Sequence, residues 1–495
     1  MTRLDGAAAE DGCRAAEAPG SEGRPPPSGR RRLVLLACLG AGLGTLLDQS
    51  TVNFTVAGIR ESLGAPNGAV QWYLASYSLT FGLGLVPGGR IGDAWGRRGP
   101  FLLGLALFGL GSIVAALLGT IELITICRLM QGFGAGLISA QVLGSIQDEF
   151  SGRARIWALT GYSMAGSAAA IFGPLCAGAL LDALPPDLGW RAILLLSVPV
   201  IALTAVAAGL AIPRGRGGGA PSLDLPGILL LGAFVVLITL PVIDTGAGSR
   251  TALVLLLAAL AAGGALAAWE RRAIRRAGDG PAPLFAPSLL RSRRFVLGNL
   301  VAMLWFGATV GHSAVMTLFL LQGFGLSGLA VAVVLLPSAA LRLLVSTGVP
   351  WAAGRFGDHV LGVALVVQMA AAFLLSGVIA ADLSSVLLLL VLIDCVIGIA
   401  SAFIDPVVRV LTLEGVGSGV RGVAASFLQL TQRLSATFCV AMFTGILFAA
   451  SGDGGIGRSG AAVALLVNGG IVLAAAIAAF ALVGRRGPRE TAART

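Results

Sequence analysis

The stretch Gly89-Arg90-Ile91-Gly92-Asp93-Ala94-Trp95-Gly96-Arg97-Arg98-Gly99-Pro100-Phe101 decides the fold. It is short, glycine-rich and charged, and it stands between two apolar runs, residues 70–88 and 100–119. Each run is long enough to cross a bilayer as a helix. A charged link between two such runs is a tight turn at a membrane surface. Its three arginines say which surface, because loops rich in Arg stay cytoplasmic. The turn also has an echo. Gly354-Arg355-Phe356-Gly357-Asp358 repeats Gly89-Arg90-Ile91-Gly92-Asp93 in four of five positions, again between apolar runs. One half of the chain reads as a rewritten copy of the other.

Composition agrees. The chain is 56% hydrophobic and 12% charged, against roughly 25% charged in a soluble domain. Apolar runs of membrane-spanning length recur from Leu33 to Val483, which predicts an all-α polytopic membrane protein. A β-barrel would show alternation in segments of about ten residues instead. The net charge of +10 does not point to nucleic acid. The chain has no Lys, and its arginines gather in alternate loops, which is topology rather than a nucleic-acid face. Its six cysteines are scattered with no CxxC pair, so neither a disulfide framework nor a metal site is expected. No G-x-x-x-x-G-K-[ST] stretch is present, so no nucleotide drive is expected.

In chain order, residues 1–32 read as a disordered cytoplasmic tail, polar, with Pro25-Pro26-Pro27 and Arg30-Arg31-Arg32 before the first apolar run. Fourteen spans follow. Only Arg60, Arg191, Arg250 and Arg458 fall in outside loops, and only Arg128, Arg342 and Arg433 within spans. That bias persists to both ends and puts both termini in the cytoplasm. Aligning the turn with its echo pairs spans one to six with nine to fourteen. The expected organisation is a six-helix bundle over 33–212, a linker with spans seven and eight over 213–294, a second six-helix bundle over 295–483, and a cytoplasmic tail over 484–495. Two related bundles around a central site is a transporter architecture.

Four motifs resemble those of the major facilitator superfamily, specifically its fourteen-span drug/proton antiporter branch. The opening turn is similar to that family's G-x-L-A-D-R-x-G-R-R/K loop, with Gly89, Asp93, Gly96, Arg97 and Arg98 matching and Ala94 departing. Asp93 can pair with Arg97 or Arg98, and the resemblance implies a gating latch that holds the outward-facing state. In span one, Leu47-Asp48-Gln49-Ser50-Thr51-Val52-Asn53 resembles L-D-x-T-x-V-N. A mid-span carboxylate costs about 2.5–3.5 kcal/mol on insertion scales, so Asp48 must face the interior, as a proton or substrate site or as a structural acid. In span four, Arg128-Leu129-Met130-Gln131-Gly132 resembles R-x-x-Q-G. Arg128 keeps its charge at any ordinary pH and needs a counter-charge, for which Asp48 is the candidate. In span five, Gly166, Gly173, Pro174 and Gly178 match the antiporter motif G-x-x-x-x-x-x-G-P-x-x-G-G, with Ala177 departing. By resemblance this marks export. By physics it is a small-residue packing stripe with a proline kink.

The second half has its own polar face. Asp394, Gly398, Ser401 and Asp405 share a helical stripe, Arg342 lies mid-span between Ser338 and Ser346, and His312 and Arg433 sit in spans nine and thirteen. Arg342 pairing with Asp394 is one reading. The other makes Asp394 a second proton or cation site. His312 reads as a hydrogen-bonded core residue.

The function expected is efflux of small amphipathic or cationic compounds by alternating access, coupled to protons that bind Asp48 and Asp394. No cofactor is expected, the proton gradient being the energy source. The partners are substrate, protons and the lipid bilayer of the plasma membrane, the protein acting as a monomer. A dedicated metabolite exporter, an uptake carrier of the same fold, and a non-transporting receptor or scaffold are the alternatives. An enzyme is not expected, since no His/Glu metal pair and no Ser/His/Asp constellation occurs at helical spacing.

Overall fold

The computed structural model describes residues 28–214, 224–243, 249–275, 289, 291–381, 386–414, 416, 421–450 and 456–483. The tails over 1–27 and 484–495, and linker residues 215–223 and 276–288, lie outside them. All regular structure among the described residues is helical. The physical reason is that hydrocarbon offers no partner to a backbone N–H or C=O, and a helix satisfies both within one segment.

The first half comprises α1 (Ser28–Leu63), α2 (Asn67–Trp95), α3 (Arg98–Leu117), α4 (Ile121–Glu149) and α5 (Gly152–Ala183). A sixth crossing, Pro186–Ala211, is split into α6 (Pro186–Leu195) and α7 (Val198–Ala211). A hairpin of α8 (Leu225–Ile243) and α9 (Ser249–Arg275) follows. The second half begins with α10 (Arg293–Leu318), which runs into a π turn at Phe319–Gly323. It continues with α11 (Gly328–Ser346), a short α12 (Val349–Phe356), α13 (His359–Ala380), α14 (Val386–Leu413), α15 (Arg421–Ala449) and α16 (Arg458–Val483).

Twelve of the described helical segments are long and apolar enough to cross a membrane. Helix α2 is long, but it buries Gln71, Ser76 and Ser78 and carries Arg90 and Asp93, and α8 offers only a shorter apolar stretch, Leu225–Pro241. The charged link is also shorter than the sequence suggests. Helix α2 continues through Gly89–Asp93 to Trp95, and α3 starts at Arg98. The break is made by Gly96, whose φ of 91° ends α2 where a residue with a Cβ would be strained.

Close approach within the first half depends on helix α4. A Cβ on Gly132 or Gly136 would collide with the backbone carbonyls of Tyr77 and Phe81 on α2. These two helices pack backbone to backbone, as small residues allow in membranes. Between the halves, α2 packs on α15 and α5 packs on α11. The second helix of each half thus meets the fifth of the other, the arrangement a two-fold pseudo-repeat requires. Helix α8 touches both α2 and α15, so the hairpin rests along the seam. It is pinned by Asp224, which accepts from Trp269 Nε1 at 2.7 Å and from Gly227 N at 3.1 Å.

Candidate functional site

Asp48, at mid-length of α1, is 4% exposed, and Arg128 on α4 is 1% exposed. Arg128 Nη1 donates to Asp48 Oδ1 at 2.9 Å and Oδ2 at 2.7 Å, and to Gln131 Oε1 at 3.1 Å. Gln131 is held in turn, its Nε2 donating to Ser112 Oγ at 2.6 Å. The guanidinium lies 4.7 Å from the Tyr77 ring centre and 5.5 Å from that of Tyr73, within cation–π range. Tyr73 is fixed by a 2.8 Å bond between its hydroxyl and Thr55 Oγ1. The pair expected from sequence is therefore formed. A buried pair of this kind costs about 3–5 kcal/mol when one partner is removed.

The second half holds a counterpart with the charges rearranged. His312 Nε2 and Asp394 Oδ1 are 2.9 Å apart, and both residues are buried. Asp48 follows Arg30 by eighteen residues, and His312 follows Arg294 by the same number. Arg30 bonds Glu149 at the end of α4 at 2.7 Å, and Arg294 bonds Glu414 beyond the end of α14 at 2.7 Å. The acid on α1 with the cation on α4 becomes an imidazole on α10 with an acid on α14. The Arg342–Asp394 pair expected as one reading is absent. Ser338 Oγ donates to the backbone oxygen of Asp394 at 2.9 Å, and Arg342 lies one turn farther along α11, about 6 Å away along the axis. It stands exposed there, and Asp394 takes His312 instead. Asp405 pairs with Arg409 one turn on at 2.8 Å. Asn53 is half-buried on α1.

Arg433 is the other buried arginine among the described residues. It is 7% exposed, its guanidinium lies 4.1 Å from the Phe81 ring centre and 5.3 Å from that of Phe306, and its Nη1 has no hydrogen-bond partner among the described residues. It lines a central cavity with Thr45, Leu46, Gln49, Tyr77, Phe81, Ser139, Tyr162 and Gln429. Both halves contribute to that wall. The cavity encloses about 20 Å³, room for a single water. The cavity is narrow.

Contacts between the halves flank it. Gln429 Nε2 donates to Ser139 Oγ at 3.1 Å across α15 and α4. At the end away from the charged link, Arg60 on α1 reaches Gln322 Oε1 at 3.2 Å and covers the Phe448 ring. Asp182, at the end of α5, accepts from Gly328 N at 2.8 Å and Leu329 N at 3.0 Å, capping the start of α11. Gly178 lies one turn before Asp182, and a Cβ there would strike the Gly328 carbonyl. The export-type motif therefore sits partly at a seam between halves. Gly166 and Gly173 pack on Leu46 and Ser50 of α1, and α5 runs unbroken through Pro174.

At the other end, Arg97 bridges two acids, Asp93 at 2.9 Å and Asp148 of α4 at 2.9 Å. Arg97, not Arg98, is the basic member, seated over Gly144, where no side chain blocks it. The sequence reading missed Asp148. Its place at the last turn of α4, three residues before Ser151 and Gly152, was the available signal. The echo turn also has a basic partner: Arg294 lies 4.0 Å from Asp358. It comes from α10 rather than from the turn.

Two related helical halves, a cavity lined by both and buried ionisable pairs in each define a secondary-transporter-type membrane protein. Residues 38–440 match the model of the Major Facilitator Superfamily, and the chain belongs to that family, whose members are transporters rather than enzymes. It is 32% identical over 326 residues to a probable actinorhodin transporter of Streptomyces coelicolor, covering 65% of this chain and 56% of that relative's length. It is 30% identical over 431 residues to the cephamycin export protein CmcT of Amycolatopsis lactamdurans, covering 85% of each. Among solved structures, a partially occluded inward-open form of the xylose transporter XylE from E. coli superposes with a TM-score of 0.64, covering 92% of this chain and 98% of that one, at 14% identity. That likeness is one of fold.

Proposed function

We propose that the protein exports small amphipathic compounds in exchange for protons, by alternating access of the central site to the two sides of the plasma membrane. The observation that carries this is the buried Asp48–Arg128 pair, with Asp48 at mid-length of α1 and one residue from Gln49 in the cavity wall. A proton arriving from outside binds Asp48, the member of the pair able to accept one. Arg128 then loses its counter-charge and falls back on Gln131 and the faces of Tyr73 and Tyr77. The His312–Asp394 pair does the corresponding work in the second half, with both members able to exchange protons. Asp182 and Arg60 hold the outer side shut, and Arg97 with Asp93 and Asp148 braces the inner side. In this reading α2 and α8 also cross, giving fourteen spans with an inserted hairpin and both termini cytoplasmic. It acts as a monomer with no cofactor, driven by the proton gradient. The similarity to relatives such as the cephamycin export protein CmcT supports a second reading, a dedicated exporter of one metabolite.

Proteoliposomes holding the full chain test the coupling. An imposed pH gradient should drive substrate-dependent proton flux, and Asp48→Asn should abolish it while the protein stays folded. Full pH-driven transport by Asp48→Asn would overturn the assignment.

A further inference from the structure

We infer that the central site selects anionic aromatic compounds, such as carboxylates or phenolates, and that Arg433 is the group that binds their charge. The inference rests on the reading above that this cavity is where substrate sits.

Arg433 cannot shed its charge, and a buried charge requires a partner. Among the described residues it has none of opposite sign. Asp48, on the neighbouring face of α1, has both oxygens engaged by Arg128 Nη1. Asp394 is engaged by His312, and Asp405 by Arg409. The rings of Phe81 and Phe306 face the guanidinium, but they leave Nη1 without an acceptor. The rest of the cavity wall contains no carboxylate to attract a cation. It offers Gln49, Ser139 and Gln429 as neutral polar groups, and Tyr77, Phe81 and Tyr162 as aromatic surface. An unpaired guanidinium among aromatic rings complements a flat, apolar molecule that ends in a delocalised negative charge. The same wall is ill-suited to a cation, which would meet Arg433 with no acid to offset it. Such a ligand would supply the missing counter-charge, so its entry neutralises the centre of the site.

The test is binding, read separately from transport. The full chain in lipid nanodiscs is titrated calorimetrically with three matched probes: naphthoate, naphthamide and naphthylmethylammonium. Empty nanodiscs serve as the blank. Naphthoate should bind about tenfold or more tightly than naphthamide, a difference of roughly 1.4 kcal/mol, and the ammonium probe should bind weakest. Arg433→Gln should erase the preference, and Arg433→Lys should keep part of it. Gln429→Asp, one turn earlier on α15, supplies an internal counter-charge at i,i+4 spacing and should erase the preference with Arg433 intact. It keeps the proposal testable if Arg433→Gln fails to fold. The proposal is overturned if the ammonium or amide probe binds as tightly as naphthoate, or if the preference survives a folded Arg433→Gln or Gln429→Asp variant. Naphthoate binding through Arg433 without transport under a pH gradient would instead discard proton-coupled export and leave the anion site standing.

Discussion

Asp182→Asn isolates one of the contacts that join the two halves at their outer end. The first amides of a helix have no intrahelical acceptor, and in α11 those of Gly328 and Leu329 are taken by the two oxygens of Asp182, at 2.8 and 3.0 Å. Ala330 and Val331 are served locally by Ser327, so they provide an internal control. Asparagine keeps one acceptor oxygen and loses both the second and the charge. A hydrogen bond to a charged group contributes about 1.5–3 kcal/mol, and a carboxylate at a helix N-terminus adds about 0.3–1 kcal/mol. Asp182 is exposed, so solvent screening reduces these figures. A net loss of roughly 1.4 kcal/mol is expected, which is a tenfold shift toward the opened clasp. Hydrogen exchange by mass spectrometry reads this directly. Exchange at Gly328 and Leu329 should quicken about tenfold, with that at Ala330 and Val331 changing less. Unchanged exchange at Gly328 and Leu329 would refute the clasp. Equal acceleration across the whole of α11 would show a global loss of stability instead.

His312→Gln retains a donor toward Asp394 but has no imidazole to carry a proton, so transport driven by a pH gradient should fall sharply while the protein stays folded; wild-type transport by this variant removes His312 from the proton path. Gly136→Val puts a side chain against the Phe81 carbonyl and 2.8 Å from Leu85 N. It should cost about 3 kcal/mol, seen as a lower unfolding midpoint in detergent; wild-type stability would contradict the tight α2–α4 seam.

Much of the site was legible in the sequence because the bilayer penalises charge. Asp48 and Arg128 had to face inward and, each being the other's available counter-charge, had to meet. The same reasoning left Asp394 with two readings. Periodicity located both Arg342 and Asp394 at mid-span, but it did not show that α11 and α14 meet at Ser338, one turn short of Arg342. Nor could it rank Arg97 over Arg98, which depends on the gap beside Gly144.

By itself, the sequence determined the helical membrane class, the internal repeat and which ionisable groups fall within apolar runs. These follow from one-dimensional rules: helix length against hydrocarbon thickness, and the cost of charge in lipid. The tertiary structure alone decided who pairs with whom between helices. Only there does Asp182 reach α11, does Arg294 complete the second turn, and does Arg433 remain unmatched. Those outcomes depend on the rotation and offset of packed helices, set by where glycines let backbones touch, and a linear pattern does not encode them.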